Sequence, residues 1–428
     1  MKLNDQQLRL EGVYRQNDQG EYMQRVKLAG GVLSVAQARA LADLGCRFGS
    51  GIFHLSTRGS VEFHGLLIDD LANVHRGLAV VGLFSRGACG GAVRGISCSS
   101  SFGPGFGRTQ VMLRHFLNHF SGNPHFEGLP KKFKIAFEAG YERSRHLIQD
   151  LAFVLIDEAG EESRYDIWIA GGLGREPQSG FLYADRVLEA DLLPIAESVV
   201  EVYKSWGEKG LRLKHMLNAL GEAELRIRIA KQLENKQPAA FSDAFPKALV
   251  PAASSQRIAL NIFAGELSAL NLIRICDMAT AHDSHWLLVT PDQNIELLLE
   301  GKTAPLEREL VQAGFELCAE GGALRICPGN HECRMGLCAT RDLASRLQDE
   351  FGSQIRDRSL AISGCLNSCA QPQLAEIGIL ASKLKRDGEQ RFPLFDFYRH
   401  QGEGLGQIIA SELTEDELFE RLGVLLGE

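Results

Sequence analysis

Four of the ten cysteines form two spaced pairs. Cys327 and Cys333 are separated by five residues in CPGNHEC, and Cys365 and Cys369 by three in GCLNSC. Thiolates are soft ligands, and four of them can hold the four irons of a [4Fe–4S] cluster. Zinc is the alternative, although structural zinc sites usually use a tighter C-x2-C knuckle. The pairs flank glycine and proline turns, which favours metal ligation over buried free thiols.

Three of the other cysteines are not expected to bind the metal. Cys46 and Cys276 belong to amphipathic segments and are predicted to fill the core. Cys338 closely follows the first pair and is predicted to be a neighbour of the metal centre rather than a ligand.

Composition and charge restrict the class of protein. The chain has 428 residues, of which 45% are hydrophobic and 23% charged, as expected of a globular protein with two or three domains. A formal net charge of −8 disfavours nucleic acid as the main partner. No apolar run is long enough to span a membrane, and the first residues, MKLNDQQLRLEG, lack the apolar core of a signal peptide. We therefore expect a cytoplasmic protein whose cysteines stay reduced.

An internal repeat must help to position the reactive residues. AGGVLS at 29–34 and FAGELS at 263–268 each precede a predicted helix. Ser34 and Ser268 are the predicted N-caps, because a serine hydroxyl can accept a bond from a free backbone N–H.

The two copies continue in the same order. Each has a strand–turn–strand pattern, IFHLSTRGSVEFHG in the first and WLLVTPDQNIELLL in the second, and the register aligns Arg58 with Asp292. GGAVR at 90–94 then matches GGALR at 321–325. The shared order indicates a duplication with a pseudo-twofold axis.

A segment without obvious repeat character lies between the copies. It opens with a predicted helix whose apolar residues recur at core-face spacing: Leu113, Phe116, Leu117 and Phe120. Strands are predicted around Phe153 and Trp168, and the Pro-, Ala- and Ser-rich stretch 236–255 is predicted to be a linker. The chain ends on a predicted helix with a capping box made by Thr414 and Glu417.

These motifs resemble those of the sirohaem-containing nitrite/sulfite reductase family. The resemblance includes the two cysteine pairs with GCLNSCAQP, the turn LSTRGSVEFHG followed by GGAVRGISC, and LPKKFK at 129–134, which is similar to the family's LPRKFK. AGGLG and RLKHML also match, and the motifs run in the right order over nearly the whole chain.

The resemblance implies an α/β (α+β) fold of three domains with a pseudo-twofold duplication of ferredoxin-like half-domains. The expected divisions are an N-terminal extension, a first half-domain, a central sirohaem-binding domain with its linker, a second half-domain and a cluster-binding domain: 1–20, 21–110, 111–255, 256–318 and 319–428.

It also implies two cofactors, a [4Fe–4S] cluster and sirohaem, at the junction of the domains. Cys369 would bridge the cluster to the sirohaem iron, and Cys327, Cys333 and Cys365 would hold the remaining irons. The implied catalytic residues are Arg58, Lys131, Arg212 and Lys214. The implied cofactor-binding residues are Arg94, Lys132, Lys134, Gly171, Gly172, Gln293 and Asn294.

Positive charge is expected at a site that binds both an oxyanion and sirohaem. A bound oxyanion and a tetrapyrrole fringed with carboxylates both need positive charge where water is largely excluded. Lysine can also donate protons, which arginine does not readily do. The chain departs from the family at Gly59, where Gln is usual, at Lys131, where Arg is usual, and at Val93-Arg94-Gly95, often Asn-Arg-Asn.

The implied activity is the multi-electron reduction of sulfite to sulfide. A cation at Lys214 favours sulfite, because nitrite enzymes of the family tend to have a neutral amide there. AGGLG is not a strand–GxGxxG–helix unit, so the electrons are expected from an external ferredoxin or flavoprotein. Three alternatives stay open: a nitrite reductase forming ammonia, a precorrin-3B synthase-like oxygenase, and a non-catalytic electron-transfer subunit that carries the cluster.

Overall fold

The computed structural model describes residues 4–98, 102–241, 251, 255–319 and 321–427. The helices of this part are α1 (Asp5–Leu10), α2 (Val35–Arg47), α3 (Leu71–Val80), α4 (Phe106–Phe120), α5 (Glu189–Trp206), α6 (Leu213–Leu220), α7 (Glu222–Leu233), α8 (Ala269–Ala281), α9 (Ala304–Gln312), α10 (Thr340–Ile355) and α11 (Glu415–Gly427). Its strands are β1 (Val13–Arg15), β2 (Tyr22–Val26), β3 (Val32–Ser34), β4 (Ile52–Leu55), β5 (Val61–Leu66), β6 (Ser97–Cys98), β7 (Ile135–Glu138), β8 (Leu151–Asp157), β9 (Arg164–Ile169), β10 (Phe181–Leu188), β11 (Gln256–Asn261), β12 (Glu266–Ser268), β13 (Trp286–Val289), β14 (Ile295–Leu299), β15 (Glu316–Leu317), β16 (Ala323–Ile326), β17 (Ser359–Ser363), β18 (Ile377–Asp387), β19 (Gln390–Arg399) and β20 (Gln407–Leu413).

The two repeats exchange a strand and share one hydrophobic core. One sheet has the order β1-β2-β5-β4-β12 and the other β15-β11-β14-β13-β3. Thus β12 of the second copy pairs with β4 of the first, and β3 of the first pairs with β13 of the second. Helices α2 and α8 pack together, and their predicted caps are confirmed, because the Ser34 and Ser268 hydroxyls each accept a backbone N–H at 3.1 Å.

The two hairpin turns have the same backbone. The N–H of Ser56 donates to the carbonyl of Ser60 at 2.9 Å, and that of Thr290 donates to Asn294 at 2.9 Å. Gly59 and Gln293 take the same left-handed conformation, with φ of 60° and 63°. The structure therefore confirms the predicted duplication at this turn.

The duplication extends beyond the segments that the sequence revealed. The central sheet has β6, β7 and β8 parallel, followed by antiparallel β9 and β10. The C-terminal sheet repeats this with β16, β17 and β18 parallel, followed by antiparallel β19 and β20. A helix, α4 or α10, joins the first two strands in each, and another, α5 or α11, follows the last. The central segment is therefore the topological twin of the cysteine-bearing region.

Each of these sheets has its own core, which the predicted amphipathic helices cover. Phe116 of α4 stacks edge-on against Phe137 and Phe153. Leu418 of α11 is buried in the C-terminal core, and the predicted capping box forms, with the N–H of Thr414 bonded to the Glu417 carboxylate at 2.7 Å.

Some predictions about individual segments have other outcomes. Cys276 is buried as predicted, but Cys46 is exposed, so the prediction that it fills the core is wrong. Its neighbours Leu44 and Gly45 occupy the inner face of α2, and the next residue points outward. Most of the predicted linker 236–255 lies outside the described residues. No helix within the described ranges is long and apolar enough to cross a membrane.

Candidate functional site

The two cysteine pairs follow neighbouring parallel strands. Cys327 directly follows β16, and Cys365 comes two residues after β17 ends. Because the carboxyl ends of parallel strands meet at one edge of a sheet, both pairs lie at the same edge. The backbones of the two loops are joined by hydrogen bonds from Cys327 to Ile362 at 3.1 Å and from Leu337 to Gly364 at 2.7 Å.

Glycine allows these loops to approach each other. The N–H of Gly364 donates to the sulfur of Cys327 at 3.1 Å. A Cβ atom on Gly364 would lie 3.1 Å from the Cα of Gly329, which itself has φ of +60°. A side chain at Gly364 would therefore crowd the Gly329 loop, and one at Gly329 would be strained and would meet Thr340.

The spacing of the four thiols does not suit a single zinc ion. All four are free, and within the described residues no three of their sulfur atoms lie within 4.8 Å of one another. A tetrahedral zinc with Zn–S bonds of about 2.3 Å would hold its sulfurs roughly 3.8 Å apart. A [4Fe–4S] cube takes one thiolate at each iron and needs the wider spacing.

Burial and mutual repulsion disfavour the thiolate forms of these cysteines. Burial raises the pKa of Cys327, Cys333 and Cys365, and the charges of neighbouring cysteines raise it further. Thiolates at these positions are therefore costly without bound iron, which supplies the compensating charge.

The turn between β4 and β5 lies over Cys369. The hydroxyl of Thr57 donates to the carbonyl of Cys369 at 2.8 Å, and the amide of Gln371 donates to the carbonyl of Thr57 at 3.2 Å. Arg58 is half-buried beside this contact, where its guanidinium donates to the side chain of Gln149 at 2.8 Å. Cys369 itself is exposed at this junction.

A buried carboxylate, Asp150, organises the neighbouring cations. It is fully buried and accepts hydrogen bonds from the Arg212 guanidinium and from the backbone N–H of Lys134, both at 2.8 Å. Sequence reasoning missed this residue, because a single Asp before a strand has no distinguishing spacing. Its burial next to three predicted cationic positions is visible only in the fold.

The site carries more positive than negative charge. Burial lowers the pKa of Lys132 to about 8, with the charge of Arg212 as the next cause, and it lowers the pKa of Lys134 even more. Burial and then the charge of Arg94 lower the pKa of Arg58. Within the described ranges, the ammonium groups of both lysines and the buried Nε of Arg94 have no hydrogen-bond partner. Such unpaired donors fit an anionic ligand, including the carboxylates of a tetrapyrrole.

The glycine loop accommodates Arg212 and Lys214. Arg212 is the extended N-cap of α6, and a Cβ on Gly172 would lie 2.3 Å from its guanidinium. Lys214, in the first turn of α6, is 3% exposed and donates to the carbonyls of Gly172 at 3.4 Å, Leu173 at 3.5 Å and Glu176. The structure thus brings these residues together with the loop, whereas Lys131 lies exposed nearby.

Gln293 and Asn294 bind backbone groups in the structure. The Gln293 amide donates to the carbonyl of Leu55 at 2.9 Å and accepts the N–H of Ile326 at 2.7 Å. The side-chain oxygen Oδ1 of Asn294 accepts a hydrogen bond from the N–H of Ile262 at 2.9 Å. These bonds connect the repeats to β16, and a role of either residue toward a cofactor stays a prediction.

A second buried network was also missed by sequence reasoning. Asp292, at the position that matches Arg58, accepts hydrogen bonds from Arg145 at 2.5 Å and from Arg325 at 3.0 Å. Arg325 also donates to the carbonyl of Ala370, next to Cys369, at 3.0 Å. The network therefore fixes the loop that carries the second cysteine pair.

Family models match two segments of the chain. The nitrite/sulfite reductase ferredoxin-like half domain matches residues 14–81, and the nitrite and sulphite reductase 4Fe-4S domain matches residues 108–237. The second match falls on the central segment, which has the same topology as the cysteine-bearing region. Because the central sheet and the C-terminal sheet share one topology, a model of the 4Fe-4S domain can match the central segment.

Several named proteins are similar over most of the chain. A sulfite reductase (ferredoxin) of Mycobacterium tuberculosis is 24% identical and aligns with 93% of this chain and 77% of its own. A ferredoxin–nitrite reductase of Synechococcus elongatus is 24% identical, covering 86% and 78%. The sulfite reductase (NADPH) hemoprotein beta-component of Nitrosomonas europaea is 24% identical, covering 98% and 84%. The solved structure of the Mycobacterium tuberculosis NirA protein shares the fold, with a TM-score of 0.83 at 24% identity over 97% of this chain and 85% of that one.

Proposed function

Because the chain belongs to the nitrite and sulfite reductase family, whose members carry sirohaem and a [4Fe–4S] cluster, we propose that it reduces sulfite to sulfide. When bound, the two cofactors would pass electrons to the anion and provide the iron at which it reacts. Cys327, Cys333, Cys365 and Cys369 would hold the cluster, with Cys369 shared with the sirohaem. The chain's other residues must bind the anion, exclude water and deliver protons.

The observation that carries the proposal is the excess of partly or fully buried cations next to Cys369. Lys132 lies within electrostatic range of Cys369, and Arg58 adjoins Thr57, whose hydroxyl bonds to the carbonyl of Cys369. Lys134 in turn lies close enough to Lys132, Arg58 and Asp150 to be affected by their charges. Sulfite carries more negative charge than nitrite near neutral pH, so it gains more from this excess. Arg94, Lys132, Lys134 and the backbone of Gly171 and Gly172 are our candidates for holding the macrocycle's carboxylates.

Proton supply is a second requirement of sulfite reduction, and Lys214 offers a group for it. Turning sulfite into hydrosulfide consumes six electrons and seven protons and releases three waters. Burial lowers the pKa of Lys214 to about 8, so this ammonium can give up and regain a proton near neutral pH. Two of its three carbonyl contacts are at the outer limit of hydrogen bonding, which leaves donors available to an anion.

We infer that the electrons come from a separate donor protein. The names of the relatives above include both ferredoxin and NADPH, so either a ferredoxin or a flavoprotein could serve. Nitrite is the second candidate substrate, since one of the similar proteins is a nitrite reductase.

Substitution of Lys214 tests the choice of substrate. We expect Lys214→Asn to lower sulfite turnover more than nitrite turnover, by about 1.5–3 kcal/mol, the value of a hydrogen bond to a charged group. Steady-state rates with reduced viologen measure both on the cofactor-loaded protein. Lys204→Asn is the matched control, because Lys204 also donates to a backbone carbonyl, that of His125, away from the site.

Lys214→Arg separates charge from proton donation. It keeps the cation but removes the readily lost proton, so we expect the fall in sulfite turnover above about pH 8 to disappear. An unchanged sulfite-to-nitrite ratio in Lys214→Asn would remove Lys214 from substrate selection.

A further inference from the structure

Two buried histidines and a glutamate form a cluster beside the loop of the first cysteine pair. His54 lies on β4 and His64 on β5, and the register that pairs His54 with Glu62 places both imidazoles on one face of the hairpin. Glu332, which directly precedes Cys333, approaches this face from the C-terminal region. One ligating atom from each of His54, His64 and Glu332 lies within 4.8 Å of the other two.

Four polar atoms of this cluster lack a hydrogen bond. His54 and His64 are 3% and 6% exposed. Within the described ranges, Nε2 of His54, both ring nitrogens of His64 and Oε2 of Glu332 are buried without a hydrogen bond. Buried unpaired groups of this kind are rare and commonly mark an ion or a water.

The distances match a metal better than direct hydrogen bonds. Nε2 of His54 is 3.4 Å from Oε2 of Glu332, longer than the usual 2.7–3.2 Å of a hydrogen bond. Two ligands on a tetrahedral zinc, each bound at about 2.0–2.1 Å, lie roughly 3.3 Å apart. The ligating atom of His64 lies within 4.8 Å of those of His54 and Glu332, so the three residues form a candidate His2Glu set.

Neighbouring charges orient the proposed ligands. The other carboxylate oxygen of Glu332 accepts a hydrogen bond from Arg341 at 2.7 Å, which leaves Oε2 directed toward the histidines. Glu62 is held by Arg25 at 2.8 Å, and its second oxygen lies 3.6 Å from Nε2 of His64. Such outer contacts are typical of metal ligands, and Glu62 or a water can fill the fourth position.

We infer that His54, His64 and Glu332 bind a divalent cation of the zinc type. Two imidazoles and one carboxylate are a ligand set that suits zinc. The ion would fasten the β4–β5 hairpin to the loop that carries Cys333. The inference is independent of the proposed substrate, because none of the three residues is among those proposed to bind the anion or the macrocycle.

Zinc binding to the cofactor-loaded protein tests this inference. After treatment with a chelator, the protein is dialysed against zinc, and zinc, iron and acid-labile sulfide are measured per chain. We expect His54→Gln and His64→Gln to lose one equivalent of zinc with at least about 100-fold weaker binding, and Arg341→Met to weaken binding by about 10-fold. His146→Gln is the matched control, because His146 is also 6% exposed but packs against Tyr141 and Trp168.

A measurement on the unaltered protein covers the case in which a variant loses its iron. Anomalous X-ray scattering at the zinc edge, from crystals of the zinc-treated holoprotein, should give a peak between His54 and Glu332. Equal zinc content in the wild type, His54→Gln and His64→Gln would overturn the inference, as would the absence of a peak at this position.

Discussion

The two hairpin turns have one backbone and opposite charges. Residues 56–60 and 290–294 share the same hydrogen bond and the same left-handed residue, yet the first presents Arg58 and the second Asp292. Arg58 lies at the cation-rich face beside Cys369, whereas Asp292 is neutralised by Arg145 and Arg325. After duplication, one copy could keep a charge for a ligand while the other used the same position to fix the fold.

The twin sheets show the same division. In the central sheet, Lys134 and Asp150 directly precede β7 and β8, so charged residues gather at the amino ends of parallel strands. In the C-terminal sheet, Cys327 and Cys365 follow the carboxyl ends of β16 and β17. If our proposal is right, the central sheet provides Lys134 and the cations around Asp150, the C-terminal sheet provides the cysteines, and the two sets would act together where these regions meet.

The largest effect is expected from the thiols. Changing Cys327, Cys333, Cys365 or Cys369 to Ala should abolish most iron and acid-labile sulfide, because one iron of the cluster then loses its only protein ligand and the cluster is destabilised. Cys369→Ala should also change the visible spectrum of the sirohaem. Metal analysis and absorption spectra measure both effects.

Two other cysteines provide controls for this experiment. Cys276→Ala changes a buried thiol and Cys46→Ala an exposed one, and both should keep full iron content. Iron loss in Cys46→Ala equal to that in Cys369→Ala would contradict the assignment of ligands.

The next largest effect is expected at Asp292. Asp292→Asn keeps the shape but leaves Arg145 and Arg325 uncompensated, and should lower the free energy of unfolding by about 3–5 kcal/mol. Asp277, in the same repeat as Asp292, forms an exposed ion pair with Arg39. Asp277→Asn removes this pair and should lower the free energy of unfolding by at most about 1 kcal/mol. Denaturant unfolding of both variants checks the difference, and equal losses would show that the Asp292 network has no special role.

The pH dependence sharpens this prediction. Burial alone would raise the pKa of Asp292, but the charges of Arg145 and Arg325 lower it far below its usual range. The stabilisation is therefore complete above the unfolded-state pKa of about 3.9 and is lost as pH falls toward the folded-state value. The difference between wild type and Asp292→Asn should shrink below about pH 4.

A smaller effect on stability but a clear one on activity is expected at Arg58. Arg58→Gln should lower kcat/KM for the oxyanion by roughly 10- to 150-fold, equivalent to about 1.5–3 kcal/mol. Arg58→Lys should retain more activity, because it keeps the charge. If both variants are equally impaired and both lose sirohaem, Arg58 would only position the turn through its bond to Gln149.

Local sequence patterns predicted much of the fold. The caps at Ser34 and Ser268 and the capping box at Thr414 depend on neighbouring residues, so the sequence contains the whole signal. The shared turn could be recognised in the sequence because the alternating strands on either side align between the two copies, which brings Gly59 into register with Gln293. The exchange of β3 and β12 between sheets was not visible, because strand pairing over more than 200 residues leaves no local pattern.

The part of the candidate site that could be predicted from the sequence is the part whose residue type points to a specific chemistry, as paired cysteines point to metal binding. Cysteine pairs have such a signal, whereas Asp150 and Asp292 acquire their importance from arginines distant in the chain. Cys46 shows the opposite error, since an amphipathic segment does not by itself fix which face its last turn buries. The twin topology of the central segment was missed because sheets keep their order after their sequences diverge.

Steady-state reduction by the cofactor-loaded wild-type protein tests the central claim most directly. With reduced viologen as the electron source, sulfite and nitrite are supplied in parallel, and sulfide and ammonia are measured together with the electrons consumed. We expect six electrons per sulfide formed and a kcat/KM for sulfite above that for nitrite. A higher kcat/KM for nitrite, or no sulfide from protein that contains both cofactors, would contradict the proposal that this protein reduces sulfite.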